Sequence, residues 1–171
     1  MRDGGVLACP TEGVWGLACI ASNLQSVQRI IDLKERDTGK GLILIGSDRA
    51  QLAPLMAALE PAWQSRMDAA WPGPVTFIVP AARNLPSLLT GGRLTLAVRV
   101  SDHPVLAALT RGLAEPVIST SANLSGEKTL KTASAIRRVF GESLDGIVAG
   151  ELGGRRKPSD IIDVRTGRRL R

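Results

Sequence analysis

The sequence predicts a single-domain α/β protein, on three observations. Strand-length apolar runs at residues 6–10, 42–45, 75–79, 94–100 and 117–118 alternate with stretches of helical spacing. The 171 residues suffice to bury one core, and no apolar run approaches the ~20 residues of a membrane span. Finally, the run at 117–118 changes abruptly to Ser119, Thr120, Ser121, Asn123 and Ser125, closed by Gly126. Hydroxyls and amides at the end of a buried strand donate to anionic oxygens without adding charge, and the crevice beyond the strand ends of an open α/β sheet takes ligands. An ordinary polar turn has the same composition, so both readings stand at this point.

Taken in order, residues 6–10 read as the first strand and lead into Thr11-Glu12-Gly13-Val14-Trp15-Gly16-Leu17. Glycines at 13 and 16 let the backbone pass close to a neighbouring strand or a ligand. Ser22 followed by Gln25 matches a capping box, and Val27, Ile30 and Ile31 then share one helix face. The same spacing brings Lys34 onto the inward stripe, and Gly39 is the expected C′ residue. A lysine ending an apolar stripe either snorkels outward or aims its ammonium into a cleft beside the core. With Arg36 and Lys40 close by, it makes a triphosphate clamp or, equally simply, a mixed-charge helix end.

Residues 42–45 read as a central strand, 48–59 and 61–70 as two helical pieces, and Trp71-Pro72-Gly73-Pro74 as a rigid turn into the strand 75–79. Residues 81–93 read as an exposed, mobile loop. Alternation then puts Leu94, Leu96, Val98 and Val100 on one face and Thr95, Ala97 and Arg99 on the other. Thr95 and Arg99 are about 13 Å apart at the strand rise, a span that suits a small extended ligand. An arginine beside a small alanine suits a carboxylate or phosphate fork. The single histidine, His103, reads as a helix-start residue, and no Gly-x-Ser-x-Gly elbow accompanies Ser119 or Ser121. A helix over 132–140 ending at Gly141, a strand over 146–149 and a last strand through Ile161, Ile162 and Val164 complete the chain.

The net charge is +6, and residues 155–171 hold Arg155, Arg156, Lys157, Arg165, Arg168, Arg169 and Arg171 against Asp160 and Asp163, leaving +5 there. Such a tail attracts polyanions such as RNA or nucleotide phosphates, or is simply a solvated basic end. Trp15, Trp63, Trp71, Phe77 and Phe140 are few platforms for base stacking. Cys9 and Cys19, in no metal-type cluster, read as buried reduced thiols of a cytoplasmic protein. No signal-peptide pattern, Walker A motif or dinucleotide fingerprint is present, so a nucleotide site must be built another way.

Six segments in order resemble the YrdC-like threonylcarbamoyl-AMP synthase (TsaC) family in its single-domain bacterial form. They are Pro10-Thr11-Glu12-Gly13-Val14-Trp15-Gly16-Leu17, Lys34-Glu35-Arg36, Lys40-Gly41-Leu42-Ile43, Trp71-Pro72-Gly73-Pro74-Val75-Thr76, Leu96-Ala97-Val98-Arg99-Val100 and Ser119-Thr120-Ser121-Ala122-Asn123-Leu124-Ser125-Gly126. The resemblance covers nearly the whole chain. It implies one YrdC-like domain over 1–171, a twisted mixed β-sheet flanked by helices. It also implies an enzyme that joins L-threonine, bicarbonate and ATP into threonylcarbamoyl-adenylate and pyrophosphate, for modification of tRNA at adenosine 37. In such proteins Lys34 and Arg36 would be the catalytic cations on the phosphates, with Lys40, Thr95, Ser121, Asn123 and Arg171 also on the ATP. Thr11, Arg99 and Ser119 would hold threonine or its carbamate. No protein metal site is implied; Mg²⁺ would arrive with ATP. Implied partners are downstream threonylcarbamoyl-transferase proteins and a tRNA or double-stranded RNA contact, with no membrane.

The sequence departs from that pattern at Asp37, where proline is usual, at Trp15 in place of Tyr or Phe, and at Ile45, where some members carry histidine. It is also expected to lack the helix that usually precedes the first strand and the C-terminal extension of two-domain members. Two other readings compete: an RNA-binding module acting in RNA maturation without catalysis, and a carbamoyl-transferring maturation domain that would need a partner domain.

Overall fold

Strand β6 (Val117–Ser121), which carries the hydroxyl cluster, lies inside the sheet rather than at its edge. The computed structural model describes residues 1–155 and 157–171. The other strands are β1 (Leu7–Pro10), β2 (Trp15–Ile20), β3 (Ile43–Gly46), β4 (Val75–Pro80), β5 (Thr95–Val100), β7 (Gly146–Ile147) and β8 (Asp160–Asp163). Among the described residues the eight form one mixed sheet in the order β7-β1-β2-β6-β3-β5-β4-β8. Neighbours β1/β7, β3/β5 and β4/β8 are parallel and the rest antiparallel. The helices are α1 (Leu24–Leu33), α2 (Arg49–Leu52), α3 (Pro61–Asp68), α4 (Ser87–Thr90), α5 (Pro104–Leu113) and α6 (Ala133–Phe140).

Strand periodicity sorts the two faces. On one, Leu17, Cys19, Leu44, Val98 and Ile118 meet Val27, Ile30 and Ile31 of α1 and Ile136 and Phe140 of α6. Burying each of those α1 side chains contributes about 1.5–3 kcal/mol, which is what holds a ten-residue helix in place. On the other face, Leu106 of α5 packs onto Cys9, Ala18, Ile45 and Val117. That helix covers only part of the face. Ser119, Ile43, Ala97 and Ile78, which pair across four strands, form a row it leaves uncovered. Both cysteines are free, and burial pushes their thiols up to about 12, so they stay protonated and inert.

Several local expectations are corrected. The capping box does not form: the Ser22 hydroxyl donates to Glu115, and Asn23 caps α1 by accepting from Ser26 N–H at 3.0 Å. A carboxylate partner outcompetes a backbone amide for that hydroxyl. Helix α1 ends well before Gly39. Glu35 N–H donates to Asp32 C=O and Arg36 N–H to Ile31 C=O, each at 3.0 Å, a Schellman closure with Glu35 at φ 49° in the glycine position. Asp37 then accepts from Gly39 N–H at 2.8 Å and starts a 3₁₀ turn, Thr38–Lys40.

The continuous apolar run Trp15–Ile20 is a fully buried strand, β2, that the sequence reading did not assign. The helical piece expected over 48–59 is only α2 followed by a 3₁₀ turn, Ala53–Leu55, that Pro54 opens. The supposedly mobile loop 81–93 contains α4, fixed because Leu89 is buried. Leu94, read as the first residue of the strand 94–100 on the face of Leu96, Val98 and Val100, precedes β5 and is 90% exposed. Strand β7 covers only two of the four residues expected, and β8 begins at Asp160, with Val164 buried just past its end.

Candidate functional site

A cavity of about 220 Å³ opens over the uncovered row. It therefore lies on the face of the sheet and not beyond the strand ends, where the sequence reading had put it. Strand alternation supplies its floor: Ser119 and Ser121 from β6, Ile43 from β3, and Thr95, Ala97 and Arg99 from β5. Thr11 joins them from the turn between β1 and β2, its hydroxyl donating to Val14 C=O at 2.7 Å. Two glycines permit this approach. A Cβ on Gly16 would sit 2.9 Å from Ser119 Oγ, and one on Gly13 would sit 2.2 Å from the Lys157 carbonyl.

The wall is cationic. Arg36, Lys40, Arg93, Arg99 and Arg171 all line the cavity, and among the described residues no Asp or Glu does. Arg36 is aimed by the Schellman closure and steadied by donating to Gly41 C=O at 2.9 Å. Burial pushes its guanidinium below the usual range; Asp37 opposes that and Arg171 adds to it. Arg171 arrives because the chain folds back along β8, and its guanidinium donates to Ser159 C=O at 3.0 Å. Burial lowers Arg171 as well, against the raising effect of Asp160. Cations brought together beside uncharged hydroxyls, with no acid among the described lining residues, form a seat for a multiply charged anion.

Arg99 is the deepest of these, 5% exposed, on the same floor as Thr11 and Ser119. It is not a free fork. Its Nη1 lies 3.1 Å from Glu12 Oε2, and Glu12 Oε1 accepts from Ser101 Oγ at 2.6 Å. Burial pushes Arg99 down while Glu12, and then Asp102, push it back up, so the ion pair holds the charge on the guanidinium. The Arg99 Nε remains buried without a partner.

Lys34 and Asn123 come together but stand behind the cavity, outside its lining. Lys34 is 2% exposed, and its ammonium donates to the carbonyls of Ser121 and Asn123. The Asn123 amide donates to Leu124 C=O at 2.7 Å and Glu127 C=O at 2.9 Å. His103 begins α5, as expected, with Nε2 3.0 Å from Glu151 C=O.

Sequence reasoning missed Glu12, Ser101, Thr90, Arg93 and Ser159. A carboxylate set directly after Thr11 in a buried turn was the available signal for Glu12. Arg93 and Thr90 were concealed by the loop assignment of 81–93. The basic tail is largely occupied internally: Arg155 and Arg169 pair with Asp160, and Arg165 lies 5.8 Å over the Trp63 ring. Arg156, also counted in that tail, lies outside the described residues.

Comparison with known proteins adds three kinds of likeness. The Sua5/YciO/YrdC family model, described as telomere recombination, matches residues 1–171. The chain is 49% identical over 171 residues to a threonylcarbamoyl-AMP synthase of Thiobacillus denitrificans, covering 100% of this chain and 90% of that protein. Its fold matches P. abyssi Sua5 complexed with L-threonine with a TM-score of 0.89 and 30% identity, over 95% of this chain but 48% of that one, about half its length. It also matches E. coli YciO with a TM-score of 0.82 and 30% identity, over 95% of this chain and 79% of that one.

Proposed function

The chain belongs to the Sua5/YciO/YrdC family, and from that premise we propose that it works as a threonylcarbamoyl-AMP synthase. It is a transferase of the nucleotidyl type, and L-threonine and ATP are its substrates. The observation that carries the reading is the meeting, in one cavity, of the Thr11, Arg99 and Ser119 floor with the Arg36, Lys40 and Arg171 wall.

Bicarbonate is the third substrate. The threonine amine takes up bicarbonate with loss of water to give a carbamate. A carbamate oxygen then attacks the α-phosphorus of ATP, the α–β phosphoanhydride bond breaks, and pyrophosphate leaves with the bond electrons. Arg99 receives the threonine carboxylate, with Thr11 and Ser119 hydroxyls around the rest of that substrate. Arg36 is the catalytic cation: it faces the charge that builds on the phosphates, and Lys40 and Arg171 share it. Thr95 and Ser121 supply uncharged donors on the nucleotide side. The attack brings two anions together, so cations fixed before the reaction lower its barrier without reorganisation. No side chain has to form a covalent intermediate.

Mg²⁺ enters with the nucleotide in this scheme, and a wall without carboxylates fits an ion held by phosphate oxygens. When bound it would neutralise phosphate charge. The product is passed to threonylcarbamoyl-transferase proteins acting on tRNA position 37, in the cytoplasm. No helix among the described residues is long and apolar enough to cross a membrane. The RNA-binding alternative is not favoured, because the tail arginines it relied on are largely tied down within the chain.

The test is pyrophosphate release from ATP. Release that needs both threonine and bicarbonate upholds the reading. Release indifferent to threonine, or absent while RNA binding falls steeply with salt, overturns it.

A further inference from the structure

We propose that Lys34 is a positioning residue, an internal pin that sets the shape of the 121–125 loop for the nucleotide without itself touching a phosphate. The inference rests on the reading of the cavity as an ATP site.

Four observations carry it. Lys34 is almost wholly buried and does not line the cavity, although Ser121 and Arg36 do. Its ammonium bridges the carbonyls of Ser121 and Asn123, one on each side of Ala122. Its own carbonyl accepts from Ser125 N–H at 2.9 Å, so one residue at the end of α1 holds the loop at three points. Among the described residues no other hydrogen bond ties the loop to α1, which otherwise meets it only through the apolar packing of Ala122 and Leu124: Ala122 N–H donates to Trp15 C=O at 2.7 Å, and the Asn123 amide donates to Leu124 and Glu127. Without Lys34 the Asn123 carbonyl loses its donor and the Ser121 carbonyl keeps only the Asn123 N–H at 3.0 Å, so the strand end carrying Ser121 is free to turn toward water. Burial and then Arg36 lower the ammonium to about 8, in keeping with a side chain taken out of solvent.

Lys34→Met and Lys34→Gln separate the pin from a phosphate contact. The primary readout is amide hydrogen exchange across residues 121–127 without any ligand, which a phosphate contact would not move. The second is calorimetric binding of a non-hydrolysable ATP analogue and of L-threonine. K34M is expected to speed loop exchange about tenfold or more, as loss of two hydrogen bonds to a charged donor implies. It should weaken the analogue by about tenfold while leaving threonine within about twofold. K34Q keeps two N–H donors and should recover part of both losses. Should K34M not fold, faster loop exchange in K34Q than in wild type is the expected result.

Wild-type loop exchange in either folded variant overturns the pin, whether or not the analogue still binds. Restored loop exchange in K34Q with analogue binding still lost also overturns it, because the charge is then needed at the nucleotide. If wild type fails to bind the analogue, the ATP reading falls and the proposal with it, whereas a failure of the pin alone leaves wild-type binding intact.

Discussion

Replacing Glu12 by glutamine tests the most buried charge in the site. Glu12 is 6% exposed and Arg99 5%, and the two are 3.1 Å apart, so little water reaches either group. Removing one partner of such a pair leaves an unneutralised guanidinium inside the protein, at a cost of about 3–5 kcal/mol. Glutamine keeps an acceptor for Ser101 Oγ, which argues for the lower end, about 3 kcal/mol. Urea unfolding followed by the fluorescence of Trp15, Trp63 and Trp71 reads this directly. With a slope of about 2 kcal/mol per molar, the midpoint should fall by about 1.5 M. Adding Arg99→Met removes the orphaned charge, so the double variant should recover about 2 kcal/mol over Glu12→Gln alone. The reasoning is refuted if Glu12→Gln loses under about 1 kcal/mol, or if the second substitution adds its full cost to the first.

Three further outcomes follow from the same structure. Arg99→Ala should abolish threonine binding with ATP-analogue affinity changed less than about threefold, whereas Arg36→Ala should do the opposite; equal loss of both ligands in both folded variants rejects the division of the cavity. Glu35→Gly should raise stability by about 1 kcal/mol, since φ 49° costs a residue with a Cβ about that much; a destabilised variant in the same urea assay would show that the glutamate makes a compensating contact. Lys34 holds its proton less tightly folded, near 8, than at the ordinary 10.5, so between those values the unfolded chain binds more protons. Raising the pH through that window therefore increases this group's contribution to stability. The stability difference between wild type and Lys34→Met should move toward the wild type from pH 8 to 10, and a flat difference refutes the assignment.

The sheet was readable wherever a strand showed its period or its β-branched run, as β5 and the start of β6 did. Strand β2 was not, because a strand buried on both faces shows no alternation, and Gly16 within it and Gly13 before it read as a close-approach turn. The floor of the cavity was legible for the same reason as β5: alternation puts Thr95 and Arg99 on one face whatever the neighbours are. What Arg99 faces was not legible, since its pairing with Glu12 joins β5 to the turn between β1 and β2, which are not its neighbours in the sheet. Lys34 shows the limit most clearly. Helical spacing turned it inward, but only the positive-φ turn at Glu35 decides that its ammonium meets two loop carbonyls while Arg36 takes the cavity.

The position of β6 between β2 and β3 has a consequence for how the protein comes into being. Neighbouring strands of the binding floor are far apart in the sequence, β3 at Ile43–Gly46 beside β6 at Val117–Ser121, so the receptor surface closes only after long loops have been drawn together. A chain cleaved between β5 and β6 carries half a floor on each piece and a complete one on neither. Ligand capture is thus a late event in maturation, and during refolding it will mark the moment when the two halves of the molecule have found each other.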